Sequence, residues 1–330
     1  MLKKIVFLGT GGTIAGTADQ SSDNVGYTAA QVGLRPLLQA IPNLQHALGK
    51  HAFMSEQVAQ VDSKDIGWSV WRALTERVNH YLALSEVQSV VITHGTDTLE
   101  ETAYFLSRVL SPQLLAHKAV VLTCAMRPAS SLTPDGPQNV LDAVAVACSL
   151  EARGVLAVCA GSVHTARDVQ KVHPYRLNPF DSGDAGPLAY VEEGRVRWLH
   201  VCPVSDVPTR ELTLAALATD TWPRVEIITS YAGATGATVR ALCAVPAGAG
   251  QSVQGIVVAG TGNGSIHQDL ESALREAQAM GVRVVRSTRC AYGAVVAGPA
   301  VNMFPDSDAS SPVKARIALM LELMVKKKPR

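Results

Sequence analysis

Several features are scarce or missing in this sequence, and each excludes a class of protein. No apolar run approaches the roughly 20 residues that a membrane-spanning helix needs. Aromatic residues make up 5% of the 330 residues and the formal net charge is +1, so there is no basic, aromatic-rich nucleic-acid surface. The short basic end, 326–330, is typical of a solvated helix terminus. We therefore expect neither a membrane nor a nucleic acid as partner.

Motifs for metals and disulfides are also missing. The six cysteines include no Cys-x-x-Cys pair, and several lie in apolar runs such as VVLTCA, where cysteine behaves as a small hydrophobic residue. No His-Glu-x-x-His occurs, and the nine histidines do not cluster. The first residues, MLKKIVFLGTGG, have too short an apolar run for a signal peptide and predict a strand. These features predict a cytoplasmic protein without a metal site.

What the sequence does contain is an alternation of apolar runs and helical segments, which predicts βαβ units and a parallel sheet. The predicted strands are Ile5–Leu8, Val90–Thr93, Ala119–Thr123, Val155–Cys159, Val225–Thr229, Gly255–Ala259 and Val282–Arg286. The predicted helices cover about 65–84, 98–110, 137–152, 235–244, 268–280 and 312–328.

The domain organisation follows from a break in this alternation. Residues 203–224 contain three prolines and mixed polarity, which indicates a linker. The fold class is therefore α/β. We expect a larger N-terminal catalytic domain, 1–202, with a mainly parallel, doubly wound sheet, and a smaller C-terminal α/β domain, 225–330.

The segment VVITHGTDTLEETA, 90–103, carries the strongest local signal. An apolar strand ends in a turn at Gly95, and an acidic helix start follows, with Thr98 as the expected N-cap. Thr96 and Asp97 then lie at the carboxyl edge of the sheet, where open α/β folds bind ligands. By itself, Asp97 fits a helix-capping role better than a substrate-binding one. His94 has no accompanying serine or cysteine motif and is predicted to be a buried structural residue.

A second glycine-rich turn, GTGGTIAG, follows the first strand. A dinucleotide fingerprint requires glycine where Ile14 stands, and the polar stretch after it does not resemble a helix. The turn instead exposes the hydroxyl of Thr13 beside backbone N–H groups that could stabilise an oxyanion. A tight turn with no catalytic role fits these residues equally well. Lys171, in RDVQK, is more often a solvated lysine when considered alone.

Together, these motifs resemble a known family. GTGGTIAG, Tyr27 in GYTAAQVG, VDSKD, HGTDTLEETAYFL, AMRP, DGPQN, RDVQK and AGTGNGS are similar, in this order, to the L-asparaginase family of bacterial type. The resemblance implies hydrolysis of the side-chain amide of L-asparagine, with L-glutamine as a second substrate candidate, and no cofactor. It also implies a homotetramer built from dimers, with each site closed by a neighbouring subunit.

The resemblance assigns catalytic roles to five residues. Thr13 matches the nucleophile, and Tyr27 matches the tyrosine of a lid that helps to activate it. Thr96, Asp97 and Lys171 match a second constellation near the scissile amide. Beside Asp97 we expect a charged lysine that orients its neighbours, with proton transfer through Tyr27, Thr96 or water. Which threonine attacks stays open in the sequence, and the family precedent favours Thr13.

The same resemblance supplies the substrate-binding residues. Ser63 matches the residue that holds the α-carboxylate, and Asp97 matches the one that holds the α-ammonium. The expected set is Gly12, Ser63, Lys64, Gly95, Thr96, Asp97 and Ser265.

Two departures from the family pattern predict weaker binding of free amino acids. Lys64 stands where a polar residue commonly meets the substrate ammonium, and a cation there repels it unless the side chain turns outward. No acid follows Arg289 until Asp306, so the glutamate that many members donate to a neighbouring subunit is missing. Ser265, in place of an asparagine, is expected to alter the preference between asparagine and glutamine.

Three other functions remain as alternatives. A tRNA-linked amidotransferase subunit shares the chemistry but normally has an extra N-terminal domain. An amino-acid binding module without turnover does not explain the retention of Thr13, Thr96, Asp97 and Lys171. A nicotinamide-dependent dehydrogenase is disfavoured by Ile14.

Overall fold

The computed structural model describes residues 2–203, 210–218, 222–245, 252–296 and 304–326. The chain divides into two compact units, 1–213 and 214–330. The boundary lies within helix Arg210–Ala218, which occupies part of the stretch predicted as a linker. The predicted limits of 1–202 and 225–330 remain predictions. Among the described residues, no helix combines the length and the apolar character needed to cross a bilayer.

The first unit is built on an eight-stranded sheet in the order β10-β9-β6-β5-β4-β3-β1-β2. Its strands are β1 (Lys4–Gly11), β2 (Ala52–Val61), β3 (Val87–Thr93), β4 (Ala119–Thr123), β5 (Gly154–Cys159), β6 (Ser162–Thr165), β9 (Ala189–Glu192) and β10 (Arg195–Trp198). A separate antiparallel ribbon pairs β7 (Gln170–Lys171) with β8 (Phe180–Asp181). Strands β1 to β5 are parallel, and β6, β9 and β10 extend the sheet in antiparallel pairs.

The central strands are apolar on both faces because helices cover both sides. Phe7 and Val91 join one core with three helices, while the intervening Val6 and Val90 are equally buried on the other side. The helices of this unit are α1 (Leu34–Gln39), α2 (Leu44–Leu48), α3 (Trp68–Ala83), α4 (Leu99–Val109), α5 (Pro112–Leu115) and α6 (Gly136–Cys148), with α7 (Arg210–Ala218) at its boundary. The four predicted strands of this unit are confirmed within a few residues.

The second unit has a three-stranded parallel sheet, β11-β12-β13. Its elements are β11 (Val225–Thr229), α8 (Ala237–Cys243), β12 (Gly255–Gly260), α9 (Gln268–Ala279), β13 (Arg283–Thr288) and α10 (Pro312–Lys326). Ser311 precedes α10, and its Oγ accepts a hydrogen bond from the Lys314 N–H. The α/β class, with a larger, mostly parallel first sheet and a smaller second sheet, is confirmed.

Sequence patterns missed the edge strand β2 and the antiparallel strands of the first unit. β2, AFMSEQVAQV, has no fully buried residue and mixes polar with apolar residues, so it lacks the apolar run of the central strands. Its partner β1 determines its place through in-register parallel pairing. An edge strand with one neighbour needs less apolar surface, and hydropathy alone does not reveal it.

Candidate active site

The carboxyl ends of β1 and β3 meet at two glycines, and this contact assembles the site. A Cβ on Gly12 would lie 2.4 Å from Gly95 Cα, and Gly12 has a φ of 81°. A Cβ on Gly95 would lie 2.4 Å from Ser63 Oγ. Because a side chain at either position would push the strand ends apart, only glycine allows this approach. Thr13 and Thr96, each one residue further on, are thereby brought to the same sheet edge.

Thr13 is paired with the predicted lid tyrosine. Thr13 is 7% exposed, and its Oγ1 lies 2.7 Å from Tyr27 OH. Burial raises the pKa of Tyr27 above its usual 10, the Thr13 hydrogen bond lowers it in part, and the negative charges of Asp62 and Asp97 raise it further. Tyr27 is therefore a neutral phenol at pH 7, able both to donate and to accept a hydrogen bond.

The segment that carries Tyr27 is held over the site by backbone pairing. Thr17 and Thr28 exchange two backbone hydrogen bonds, of 2.9 and 2.8 Å. The Ala18 N–H donates to Ser130 Oγ at 2.8 Å, which ties this segment to the loop after β4. Sequence reasoning did not identify Ser130, and no motif singles it out.

Thr96, Asp97 and Lys171 form a second cluster. Lys171 Nζ donates to Thr96 Oγ1 at 2.9 Å and to Asp97 Oδ1 at 2.5 Å. The Lys171 side chain is 16% exposed and Asp97 is 54% exposed, so the carboxylate faces outward from a partly buried cation. Thr98, not Asp97, occupies the N-cap position of α4. The helix-capping interpretation of Asp97 is therefore wrong, because its carboxylate is bound by Lys171.

Ser63 supports the same turn from the short helical turn after β2. Ser63 is buried, its Oγ accepts a hydrogen bond from the Asp97 N–H at 3.3 Å, and its carbonyl accepts from Thr98 Oγ1 at 2.7 Å. Thr98 makes no side-chain cap at α4. The predicted N-cap position of Thr98 is confirmed, but its hydroxyl bonds the Ser63 carbonyl and so joins two loops.

Lys64 is directed at two neighbouring carboxylates. Its Nζ lies 2.6 Å from Asp65 Oδ2 and 3.3 Å from Asp62 Oδ2, and its side chain is 62% exposed. The hydrogen bonds to Asp65 and then Asp62 raise its pKa, so it stays charged. Two carboxylates and solvent therefore offset the charge that was expected to repel the substrate ammonium.

His94 is confirmed as a buried structural residue. It is 0% exposed, with Nδ1 2.7 Å from the Gly95 carbonyl oxygen and Nε2 2.9 Å from Thr102 Oγ1. Burial lowers its pKa to about 4. The imidazole is therefore neutral at pH 7, and both of its nitrogens are already hydrogen-bonded.

Asp135 is a further residue that sequence reasoning left without a role. Its carboxylate accepts hydrogen bonds from the N–H groups of Met126 and Arg127, both at 2.9 Å. A Cβ on the adjacent Gly136 would lie 2.9 Å from Ile14, next to Thr13. The motif DGPQN was the signal, because an acid before a glycine commonly shapes a turn.

The glycine-rich turn after β1 does not have the context of a phosphate site. The turn after β1 leads into a short 3-10 helix, Thr13–Ala15, and not into an α-helix. In the second unit, Thr261 and Ser265 pair through their backbones, and Ser265 is exposed. Asp306 accepts a hydrogen bond from Arg286 Nε at 2.5 Å in that unit. Within the described part of the chain, no three His, Cys, Asp or Glu side chains converge to hold a metal ion.

Known proteins are similar to this chain in sequence. The family model described as "Asparaginase, N-terminal" matches residues 4–202, and "Glutaminase/Asparaginase C-terminal domain" matches 224–330. L-asparaginase 2 of Escherichia coli is 36% identical over 100% of this chain and 91% of that protein. Glutaminase-asparaginase of Pseudomonas fluorescens is 34% identical over 98% of this chain and 86% of that protein.

A solved structure shows the same architecture. The crystal structure described as a probable cytoplasmic L-asparaginase from Campylobacter jejuni matches with a TM-score of 0.86 and 34% identity. The match covers 99% of this chain and 96% of that one. With both halves matched by family models and with relatives aligned along its full length, the chain belongs to the asparaginase family.

Proposed function

We propose that this protein is an amidohydrolase that converts L-asparagine to L-aspartate and ammonia, with Thr13 as the nucleophile. The observation that carries the proposal is the 2.7 Å contact between Thr13 Oγ1 and Tyr27 OH. It pairs a potential nucleophile with a neutral group that can move its proton. Relatives named L-asparaginase 2 and glutaminase-asparaginase support the substrate class.

The proposed reaction has two half-reactions. Thr13 Oγ attacks the side-chain amide carbon, and its proton passes through the Tyr27 hydroxyl to the departing nitrogen. The carbon–nitrogen bond breaks, ammonia leaves, and an ester joins Thr13 to the aspartyl group. Water then attacks the ester carbonyl, which releases L-aspartate and restores the threonine hydroxyl.

The second cluster would bind and polarise the substrate. The Lys171 ammonium donates to Thr96 Oγ1, which leaves the Thr96 O–H to donate towards the amide. The exposed Asp97 carboxylate is placed to take the α-ammonium. Ser63 Oγ accepts from the Asp97 N–H, so the Ser63 O–H can donate to the α-carboxylate.

The substrate range and the assembly are part of this proposal. L-Glutamine is the second candidate substrate, because relatives named glutaminase-asparaginase match along most of the chain. Ser265, in the second unit, is the residue that we expect to influence this choice. A cytoplasmic homotetramer, as a dimer of dimers, follows from the family resemblance. One matched structure is titled cytoplasmic, whereas a Haemophilus influenzae relative is named periplasmic.

Ammonia release tests the function directly. The wild-type protein and Thr13→Ala are assayed with L-asparagine, L-glutamine and D-asparagine. We expect turnover of L-asparagine by the wild type and its near-complete loss in Thr13→Ala. Near-wild-type turnover in Thr13→Ala would overturn the nucleophile assignment. Absence of wild-type turnover on every amide would favour an amino-acid binding module.

A further inference from the structure

A chain of buried polar groups runs from helix α3 to the turn that carries Thr96. Trp71 Nε1 donates to Thr102 Oγ1 at 2.9 Å, and His94 Nε2 lies 2.9 Å from the same oxygen. His94 Nδ1 lies 2.7 Å from the Gly95 carbonyl oxygen. Trp71 is 4% exposed, and Thr102 and His94 are 0% exposed, so bulk water does not complete these bonds.

The donor and the acceptor of each hydrogen bond in this series of polar groups can be assigned. A carbonyl oxygen only accepts, so His94 Nδ1 carries the hydrogen that bonds Gly95. Burial lowers the pKa of His94 to about 4, so the ring is neutral and Nε2 has a lone pair. Thr102 O–H therefore donates to Nε2 and accepts from Trp71 N–H. The surroundings select one tautomer of His94.

The tautomer has a consequence at the neighbouring peptide bond. The C=O of Gly95 and the N–H of Thr96 belong to one planar unit and point in opposite directions. A donor that holds the carbonyl therefore also sets the direction of the Thr96 N–H. Among the described residues, no backbone carbonyl accepts a hydrogen bond from this N–H, which leaves it for another acceptor.

We propose that His94 is a positioning residue for the reaction: its Nδ1–H holds the Gly95 carbonyl so that Thr96 faces the substrate. The inference rests on the proposed function but concerns a residue that the mechanism does not otherwise use. Trp71, stacked on Phe105 with ring centroids 4.5 Å apart, anchors the far end of the chain in the core. The Thr96 turn is thus held through the packed helices α3 and α4 and not by local turn residues alone.

Two matched substitutions separate positioning from plain packing. In His94→Asn the side-chain amide can place a donor near the Nδ1 position, whereas His94→Gln places one near Nε2. We expect His94→Gln to lower kcat on L-asparagine by about 10- to 100-fold with KM within about twofold, as for a slightly misplaced catalytic group. We expect His94→Asn to retain at least about five times more kcat than His94→Gln. Equal kcat in both variants, or losses that follow their melting temperatures, would overturn the proposal.

A second pair of variants leaves His94 itself in place. Thr102→Val removes the hydroxyl that selects the tautomer, and we expect kcat to fall by about three- to tenfold. Thr75→Val is the control, because Thr75 is also fully buried and donates only to the Trp71 carbonyl, at 2.8 Å. We expect its kcat to stay within about twofold of wild type. A Thr102→Val enzyme as active as the control would contradict the proposed role of these buried hydrogen bonds.

Nitrogen-15 NMR of the histidine rings provides a readout that does not depend on turnover. We expect the neutral Nδ1–H form of His94 at pH 7 in the wild type, and an Nε2–H form would sink the proposal. An inactive wild-type protein with the Nδ1–H form would reject the proposed function while leaving the geometry intact. An active wild type with indistinguishable Asn and Gln variants would reject the positioning role alone.

Discussion

The two threonines of the site have different hydrogen-bond partners, and this difference favours different catalytic roles. Thr13 Oγ1 contacts a neutral phenol at 2.7 Å, whereas Thr96 Oγ1 accepts a hydrogen bond from an ammonium at 2.9 Å. A phenol has a lone pair and a hydrogen and can carry a proton away, but an ammonium can only donate. The Lys171 charge also draws electron density from Thr96. Chemistry alone thus favours attack by Thr13 and polarisation by Thr96.

The turns that carry the two threonines also differ. Thr13 follows two glycines and lies beneath the segment that carries Tyr27. The Thr96 turn is braced by Ser63 and His94. The Thr13 turn is thus covered by a separate segment, whereas the Thr96 turn is held by side-chain hydrogen bonds.

Removing the Thr13 hydroxyl is expected to have the largest effect on turnover and tests the difference between the two threonines most strongly. We expect Thr13→Val to lower kcat more than about 1000-fold, because no acyl acceptor remains. Thr10→Val is the matched control, since Thr10 is buried near the end of β1, three residues before Thr13, and its hydroxyl donates to the Thr93 carbonyl. The measurement is steady-state ammonia release from L-asparagine. Acid-quenched wild-type enzyme should carry an aspartyl ester on the peptide that contains Thr13. An ester on the Thr96 peptide would reverse the assignment.

Removing the ammonium tests the other half of the comparison. We expect Lys171→Met to lower kcat by about 100-fold, because Thr96 and Asp97 lose the cation that orients them. Lys118→Met is the control: its ammonium is also partly buried but donates to the carbonyls of Leu82 and Leu84. Both variants are compared by kcat and by melting temperature. Equal loss of kcat in the two would show that Lys171 acts only through stability.

His94, which supports the Thr96 turn, should make the folding stability of the protein depend on pH. His94 has a pKa of about 4 in the folded chain and 6.5 as the reference for the unfolded chain. Between these values the unfolded chain binds a proton that the folded chain refuses. The contribution of His94 to the free energy of unfolding is therefore fully present above pH 6.5 and is lost as pH falls, by up to about 3 kcal/mol near pH 4.

Urea unfolding at pH 7.0 and pH 4.5 measures this loss. Between pH 7.0 and pH 4.5, we expect the free energy of unfolding to fall by about 2 kcal/mol more in the wild type than in His94→Asn, whose side chain does not titrate in this range. A variant with the same pH dependence as the wild type would show that other groups dominate.

The smallest effect is expected at Lys64. Since Asp62 and Asp65 already offset its charge, Lys64→Gln should lower the KM for L-asparagine by only about two- to threefold. Lys50→Gln, which removes an exposed lysine before β2, controls for overall charge. The measurement is KM at low and at high salt, and the gain should shrink at high salt. An unchanged KM would show that Lys64 does not affect the substrate ammonium.

The sequence predicted the strands, helices and turns whose formation depends mainly on neighbouring residues. The βαβ alternation and the glycines at 12 and 95 predicted the sheet and its functional edge, because backbone conformation is a near-neighbour property. Where residues have two competing uses, the same reasoning failed. Asp97 fits a helix N-terminus, but the lysine at position 171 binds its carboxylate. Thr98 does lie at the N-cap of α4, yet its hydroxyl bonds the Ser63 carbonyl.

What the sequence determined by itself is the α/β class, the glycine turns and the residue types that resemble the asparaginase family. Only the tertiary structure decided which of these residues meet. Lys171 contacts Thr96 across 75 residues of chain, and Ser63 reaches Asp97 across 34. The tautomer of His94 likewise depends on Trp71 and Thr102, which belong to two different helices. Parallel pairing and helix packing create such contacts, and no pattern of neighbouring residues encodes them.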